Sequence, residues 1–275
     1  MIRVENVRKA FGGLQAVDDC SLEVPAGSIT GLIGPNGAGK STLFNIIAGF
    51  LKPDSGRILL DGHDITGVPP HQLFHLGLVR TFQIPNEFSR MTVRENLMLV
   101  PSGQLGESVA ATWFRWGAVR EEDRRVRAQA DDVLEFLRLT HVADELAGNL
   151  SGGQKKLLEL GRTMMTEAKV VLLDEPGAGV NRTLLAQIAD DIERLNRERG
   201  YTFCIIEHDM DLISRLCDPV IVMAEGRVIA RGRMEDIRRN EQVREAYLGG
   251  GGARAEAGDA GAGDTGAAAV GPEGG

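Results

Sequence analysis

The stretch GPNGAGKST, residues 34–42, constrains this chain more than any other. It follows the apolar run SITGLIG and opens a segment in which Leu43, Ile46, Ile47 and Phe50 recur at helical spacing. The reading is strand, glycine-rich turn, helix. Glycines let the backbone curl so that successive N–H groups converge, and the helix N-terminus adds a favourable dipole, which together make a cradle for phosphate oxygens. Gly34, Asn36, Gly37 and Gly39 form the turn, with Lys40, Ser41 and Thr42 at the helix start. Lys40 is placed to reach the β- and γ-phosphates of a nucleotide, and the Ser41 hydroxyl to sit on Mg²⁺.

A nucleotide site of this kind needs an acidic residue at the end of a neighbouring strand. In VVLLDE, four apolar residues lead to Asp174, placed to orient Mg²⁺, and Glu175, placed to polarise an attacking water as general base. Alone, such a strand end reads as a solvated terminus; beside the phosphate cradle it reads as the second half of a site. Kinases, GTPases, motors and transporter ATPases built on a phosphate loop all share these two parts.

The pentapeptide LSGGQ, residues 150–154, separates them. It precedes a helix with Leu157, Leu158, Met164 and Met165 on one face, which leads into the VVLLDE strand. Ser151, with the backbone N–H groups of Gly152 and Gly153 at that helix start, makes a second anion cradle. One nucleotide does not need two cradles from one chain. The economical reading is that this one serves the γ-phosphate bound by another subunit, so that two chains sandwich two ATP molecules.

Around these motifs, short apolar runs alternate with helical patterns, which is the signature of an α/β fold with a largely parallel sheet. SITGLIG, KVVLLDE and FCIIEH are continuously apolar and therefore central, and PVIVMAEGRVIARG reads as a hairpin turning at Glu225 and Gly226. Between the halves of the sheet, residues of about 88–160 read as a helical insertion, with Val126, Val133, Leu134 and Leu137 at helical spacing. Residues 1–248 make one domain, and the Gly/Ala-rich residues 249–275 read as a disordered tail. No apolar run approaches the roughly 18 residues needed to span a bilayer, so any membrane role is borrowed from a partner. A net charge of −8 gives no electrostatic reason to expect nucleic acid as a partner. Cys20, Cys204 and Cys217 are odd in number and lack C-x-x-C spacing, which argues against a disulfide framework and for a reducing compartment.

With these motifs in this order, the chain resembles the ATP-binding subunits of ABC transporters, over nearly everything from Ile2 to Leu248. The resemblance implies a phosphate-loop NTPase (RecA-like) core with an antiparallel β subdomain and an inserted helical subdomain. It implies an ATPase using ATP and Mg²⁺, in which Gln83 of RTFQ senses the γ-phosphate and the membrane partner and joins Ser41 and Asp174 at the metal. It assigns catalysis to Glu175, Gln83 and His208 of IIEHDM, stacking on adenine to Phe11 of KAFGG, and contact with nucleotide across a dimer to Ser151 and Gly153. GAGVN, FGGLQAV, TFQ, MTVRENL, IEHDM and VREAYLG are similar to the subgroup serving importers of branched-chain amino acids and their urea and amide relatives. A lipopolysaccharide-export ATPase resembles much of this too, and EHDM with Asn181 favours the importer; a soluble ABC ATPase that moves nucleic acid or ribosomes is the other alternative. Asn181 stands where the family usually has aspartate, which removes an ionic contact across the dimer. The implied partners are two transmembrane permease subunits, a second ABC ATPase chain, a paralogue rather than a copy, and indirectly a solute-binding protein. The implied location is peripheral, on the cytoplasmic face of the inner membrane.

Three further features read as structural. His71 and His75 share a helix face but lack a third ligand, which makes them surface residues. Trp113, Phe114 and Trp116 are expected to pack the helical insertion rather than to dock a partner. Cys204 is expected as a small apolar residue on a buried strand.

Overall fold

A computed structural model describes residues 1–81, 87–107, 113 and 115–252 of the chain. Two sheets organise it. The first is antiparallel, in the order β2-β1-β4-β5, with β1 at Ile2–Phe11, β2 at Leu14–Val24, β4 at Ser55–Leu60 and β5 at His63–Asp64. The second has the order β10-β9-β3-β8-β7-β6. Its strands are β3 (Ile29–Ile33), β6 (Leu78–Arg80), β7 (Val170–Asp174), β8 (Thr202–Ile206), β9 (Val220–Ala224) and β10 (Arg227–Gly232). All its pairings are parallel except the β9–β10 hairpin, which turns at Glu225 and Gly226, both at positive φ.

The three continuously apolar runs are central because each is buried on both faces. Period-two alternation divides their side chains between two cores. Leu32, Leu172, Cys204 and Ile206 join one core with Leu43, Phe44, Ile46 and Ile47 of α1 (Lys40–Ile47) and with Ile2, Val4 and Val7 of the antiparallel sheet. Helix α1 is therefore held between the two sheets. Phe50, expected on its buried face, instead lies past the helix end and is half-exposed.

Ile33, Val171, Leu173, Phe203 and Ile205 face the other core. There they meet α3 (Val93–Met98), α4 (Trp116–Phe136), α5 (Gly152–Met164) and α6 (Arg182–Arg199); α2 (Pro70–His75) carries His71 and His75 exposed. Val126, Val133, Leu134 and Leu137 are buried as expected. The tryptophans correct the sequence reading. Trp113, which precedes α4, is 82% exposed, and Trp116 57%, because the buried stripe of α4 begins only at Val126, more than two turns beyond Trp116. Phe114 lies outside the described residues.

The chain closes with α7 (Met210–Leu216), α8 (Met234–Arg239) and α9 (Glu241–Gly252), so that α9 runs four residues into the tail expected from residue 249; residues 253–275 lie outside the described residues. Cys20, Cys204 and Cys217 are buried and unpaired, and burial pushes all three thiols up in pKa, Cys20 and Cys217 to about 12. No helix among the described residues is long and apolar enough to cross a membrane.

Candidate nucleotide site

The phosphate loop joins β3 to α1, and its shape is fixed by close backbone packing. Gly34 has φ +152°, and a Cβ there would sit 2.0 Å from the Met223 carbonyl oxygen; at Gly39, φ +94°, it would sit 2.3 Å from that of Ala16. Only glycine fits either place. The turn of the β9–β10 hairpin supports the loop from beneath: the Gly226 N–H donates to the Ala38 carbonyl at 3.1 Å, and the Asp18 N–H to the Gly226 carbonyl at 2.9 Å. Gly39 caps α1 without a side-chain bond, which leaves the first-turn N–H groups to the loop interior.

Lys40 is 6% exposed, and its Nζ donates to the carbonyls of Gly34 (2.8 Å) and Pro35 (3.0 Å). Burial lowers its pKa, against the opposing pull of Glu175 and Asp174. An ammonium held over its own loop this way has its stem fixed before any phosphate arrives. Phe11, Asn36, Gly37, Gly39, Lys40, Ser41, Thr42, Glu175 and His208 line one open cleft of about 320 Å³. The sequence motifs thus converge from four separate parts of the chain. Phe11 is 47% exposed at the rim, where its ring is available to a planar group.

At the end of β7, Glu175 has left-handed backbone (φ +51°), unusual for a residue with a Cβ. Its N–H donates to the Ile206 carbonyl (2.9 Å), and Lys156 Nζ of α5 donates to its carbonyl (3.3 Å). His208 Nε2 lies 3.0 Å from Glu175 Oε1. A carboxylate only accepts, so Nε2 is the ring nitrogen that carries the proton in this contact. Asp174 sits one residue earlier, 2.7 Å from Arg80 Nη2. Gln83 lies outside the described residues.

Glu207 was not singled out in the sequence. It is 5% exposed; Oε1 accepts from the Gly177 N–H (2.6 Å) and Oε2 from the N–H groups of His208 (2.9 Å) and Asp209 (3.4 Å). Backbone donors thereby satisfy a buried carboxylate and tie the turn after Glu175 to the one carrying His208. The signal was an acidic residue inside the otherwise apolar FCIIEH.

The LSGGQ segment lies at the start of α5. Ser151 caps the helix in a reciprocal box: Ser151 Oγ accepts from the Gln154 N–H (3.3 Å) and Gln154 Oε1 from the Ser151 N–H (3.0 Å). Gly153 is set by packing, since a Cβ there would lie 1.5 Å from Leu184 Cδ2. Ser151 is exposed and does not line the Lys40 cleft. Asn181 caps α6, its Oδ1 accepting from the Leu184 N–H at 2.9 Å, a bond for which asparagine needs no charge.

A family model described as ABC transporter matches residues 17–178, which include the phosphate loop, LSGGQ and Asp174–Glu175. The chain belongs to the ABC transporter family. A second model, branched-chain amino acid ATP-binding cassette transporter, matches residues 227–253 of this ABC protein. It is 43% identical over 252 residues to a probable branched-chain amino acid transport ATP-binding protein of Archaeoglobus fulgidus, covering 90% of this chain and 95% of that one. A protein of the same description from Methanocaldococcus jannaschii is 44% identical over 255 residues, covering 90% and 97%. Among solved structures, the ADP conformation of an ATP-binding cassette of an ABC transporter is similar at TM-score 0.77 and 42% identity, covering 90% of this chain and 98% of that one. The fold is that of an ABC ATPase, and ATP is what the cassette binds.

Proposed function

We propose that this ABC ATPase powers uptake of branched-chain amino acids, or related small polar solutes, through separate membrane subunits. The carrying observation is the convergence of Phe11, Lys40, Ser41, Glu175 and His208 on one cleft. The match of residues 227–253 to the branched-chain subgroup supports this solute class over lipopolysaccharide export.

In this reading the nucleotide's phosphates lie against the loop N–H groups and Lys40, and its base against Phe11. The Ser41 hydroxyl and the Asp174 carboxylate are hard oxygen donors of the kind Mg²⁺ takes, and they would hold it with the phosphates. When bound, the ion supplies charge neutralisation at the β- and γ-phosphates. Glu175 accepts the proton of the attacking water, and His208, hydrogen-bonded to it, holds the carboxylate in place. Gln83 belongs to the same set by its motif. Ser151 and Gly153 serve the site of a second ATPase chain, since they stand apart from the cleft this chain builds for itself.

The partners are two permease subunits, a paralogous ATPase and, indirectly, a solute-binding protein. The working place is the cytoplasmic face of the inner membrane. The test is reconstitution of the chain with the membrane subunits that co-purify with it, followed by ATP-driven uptake of radiolabelled leucine into vesicles. Uptake that needs ATP and stops with Glu175→Gln supports the reading; ATP hydrolysis without uptake of leucine, isoleucine or valine rejects the solute class.

A further inference from the structure

Arg80, the last residue of β6, is buried against α1 and the end of β7 and takes no part in the chemistry described above. Its side chain is 7% exposed. Nη2 donates to Asp174 Oδ2 at 2.7 Å and Nη1 to Asn45 Oδ1 at 2.6 Å. The rings of Phe44 and Phe50 lie 5.9 Å from the guanidinium carbon, so aromatic faces confine the fork. Register fixes its reach: Arg80 pairs with Leu172 across the β6–β7 ladder, and Asp174 lies two residues further along that strand, on the same face as Leu172. One planar cation thus joins the end of β7 to the helix that carries the phosphate loop.

We propose that Arg80 is a positioning residue: its guanidinium occupies the Asp174 carboxylate as a fixed counter-charge, and so sets how tightly the site takes up its metal ion. The inference rests on the assignment of Asp174 to the metal that accompanies the nucleotide. A carboxylate that met a divalent cation with no other partner would carry its full charge in a desolvated setting between turnovers. With Arg80 in place, Asp174 is held beside α1 at Oδ2, and the incoming ion works against a positive charge already there. Metal uptake is then weaker than the bare carboxylate would give. A purely structural ion pair makes the opposite forecast, because losing it would disorder Asp174 and weaken the metal.

The test uses the full chain, Mn²⁺ as probe and a non-hydrolysable ATP analogue kept below the protein concentration, with free Mn²⁺ read by electron paramagnetic resonance. Arg80→Met keeps an apolar stem between the two rings and removes the charge; Mn²⁺ is expected to bind about tenfold more tightly, the size of shift a close like charge produces. Arg80→Lys keeps the charge but not the planar fork, and should tighten Mn²⁺ binding less than Arg80→Met does. Unchanged or weaker Mn²⁺ binding by folded Arg80→Met overturns the proposal. Should Arg80→Met not fold, the guanidinium Nε–H resonance of wild-type Arg80, identified by its loss in Arg80→Lys, decides: it shifts when Mg²⁺ is added to the analogue complex, or the proposal fails. Asp174→Asn separates the two levels. If it leaves Mn²⁺ affinity unchanged, the metal assignment falls and the Arg80 role with it; if it weakens Mn²⁺ while Arg80→Met changes nothing, only the Arg80 role falls.

Discussion

Glu175 Oε1 and His208 Nε2 are 3.0 Å apart, although 33 residues separate them in the chain. Parallel pairing of β7 with β8 brings them together, because each stands just past the end of its strand at the same end of the sheet. Glu175 stands at a left-handed backbone position on the lining of the cleft, and the imidazole holds its carboxylate there, as the base proposed for this site requires.

His208→Ala is therefore expected to lower kcat for ATP by about a hundredfold, in the range of a lost acid–base partner, with ATP affinity little changed. Steady-state hydrolysis alongside equilibrium ATP binding checks it. A rise in KM with normal kcat would place the imidazole on ground-state binding instead.

Glu207→Gln keeps the shape and removes the charge that gathers the N–H groups of Gly177, His208 and Asp209. The amide can accept at only one end, so at least one of those donors loses its partner. A loss of about 1–3 kcal/mol in unfolding free energy is expected, together with reduced kcat, since the same bonds hold the Glu175 and His208 turns together. Denaturant unfolding and turnover measured on one preparation test both halves.

Asp191 supplies a pH dependence. It is fully buried on α6, where Arg138 Nη1 reaches Oδ1 at 3.0 Å. Burial, only partly offset by Arg138 and Arg194, raises its pKa to about 6 from 3.8. The folded state thus binds this proton more tightly than the unfolded state. The stabilising contribution is complete below the unfolded pKa and is lost as pH rises through the folded one. Relative to Asp191→Asn, the wild type should lose on the order of 2 kcal/mol between pH 4 and pH 7. Denaturant unfolding of both proteins across that range measures it; a difference that stays constant with pH rejects the assignment.

Much of this was legible because the decisive motifs are local. A strand, a glycine turn and a helix start are adjacent in sequence, so GPNGAGKST announced its own geometry, and the all-apolar runs announced a sheet covered on both faces. What could not be read was set by contacts between distant segments. Arg80 meets Asp174 across 94 residues, and Glu207 works through three backbone N–H groups. Trp116 was misread for a related reason: its apolar character says it can pack, but only the length and register of α4 say that its buried stripe begins later, and Trp113 stands ahead of that helix altogether. Asn181 also caps α6, a role that its reading as a lost charge did not include.

The pairing of chains has its own test. Under the proposed arrangement, Ser151→Arg should damage the partner's site, whereas Glu175→Gln should damage the chain's own. With a paralogue as native partner, mixing these two variants of the present chain should restore no hydrolysis, while adding the paralogue should restore the Ser151→Arg chain's own site. Activity recovered on mixing alone would make the partner a second copy, and recovery by neither route would remove Ser151 from the neighbour's site.

The most direct measurement compares ATP binding and ATP turnover in Glu175→Gln, with Lys40→Ala as reference. The carboxamide leaves the phosphate contacts intact and removes the base, so binding should stay within about threefold of the wild type while turnover falls by at least about a hundredfold. Lys40→Ala should instead lose binding, because Lys40 is the side chain held over the phosphate loop. Normal turnover by the Glu175→Gln protein would contradict the assignment of hydrolysis to this cleft.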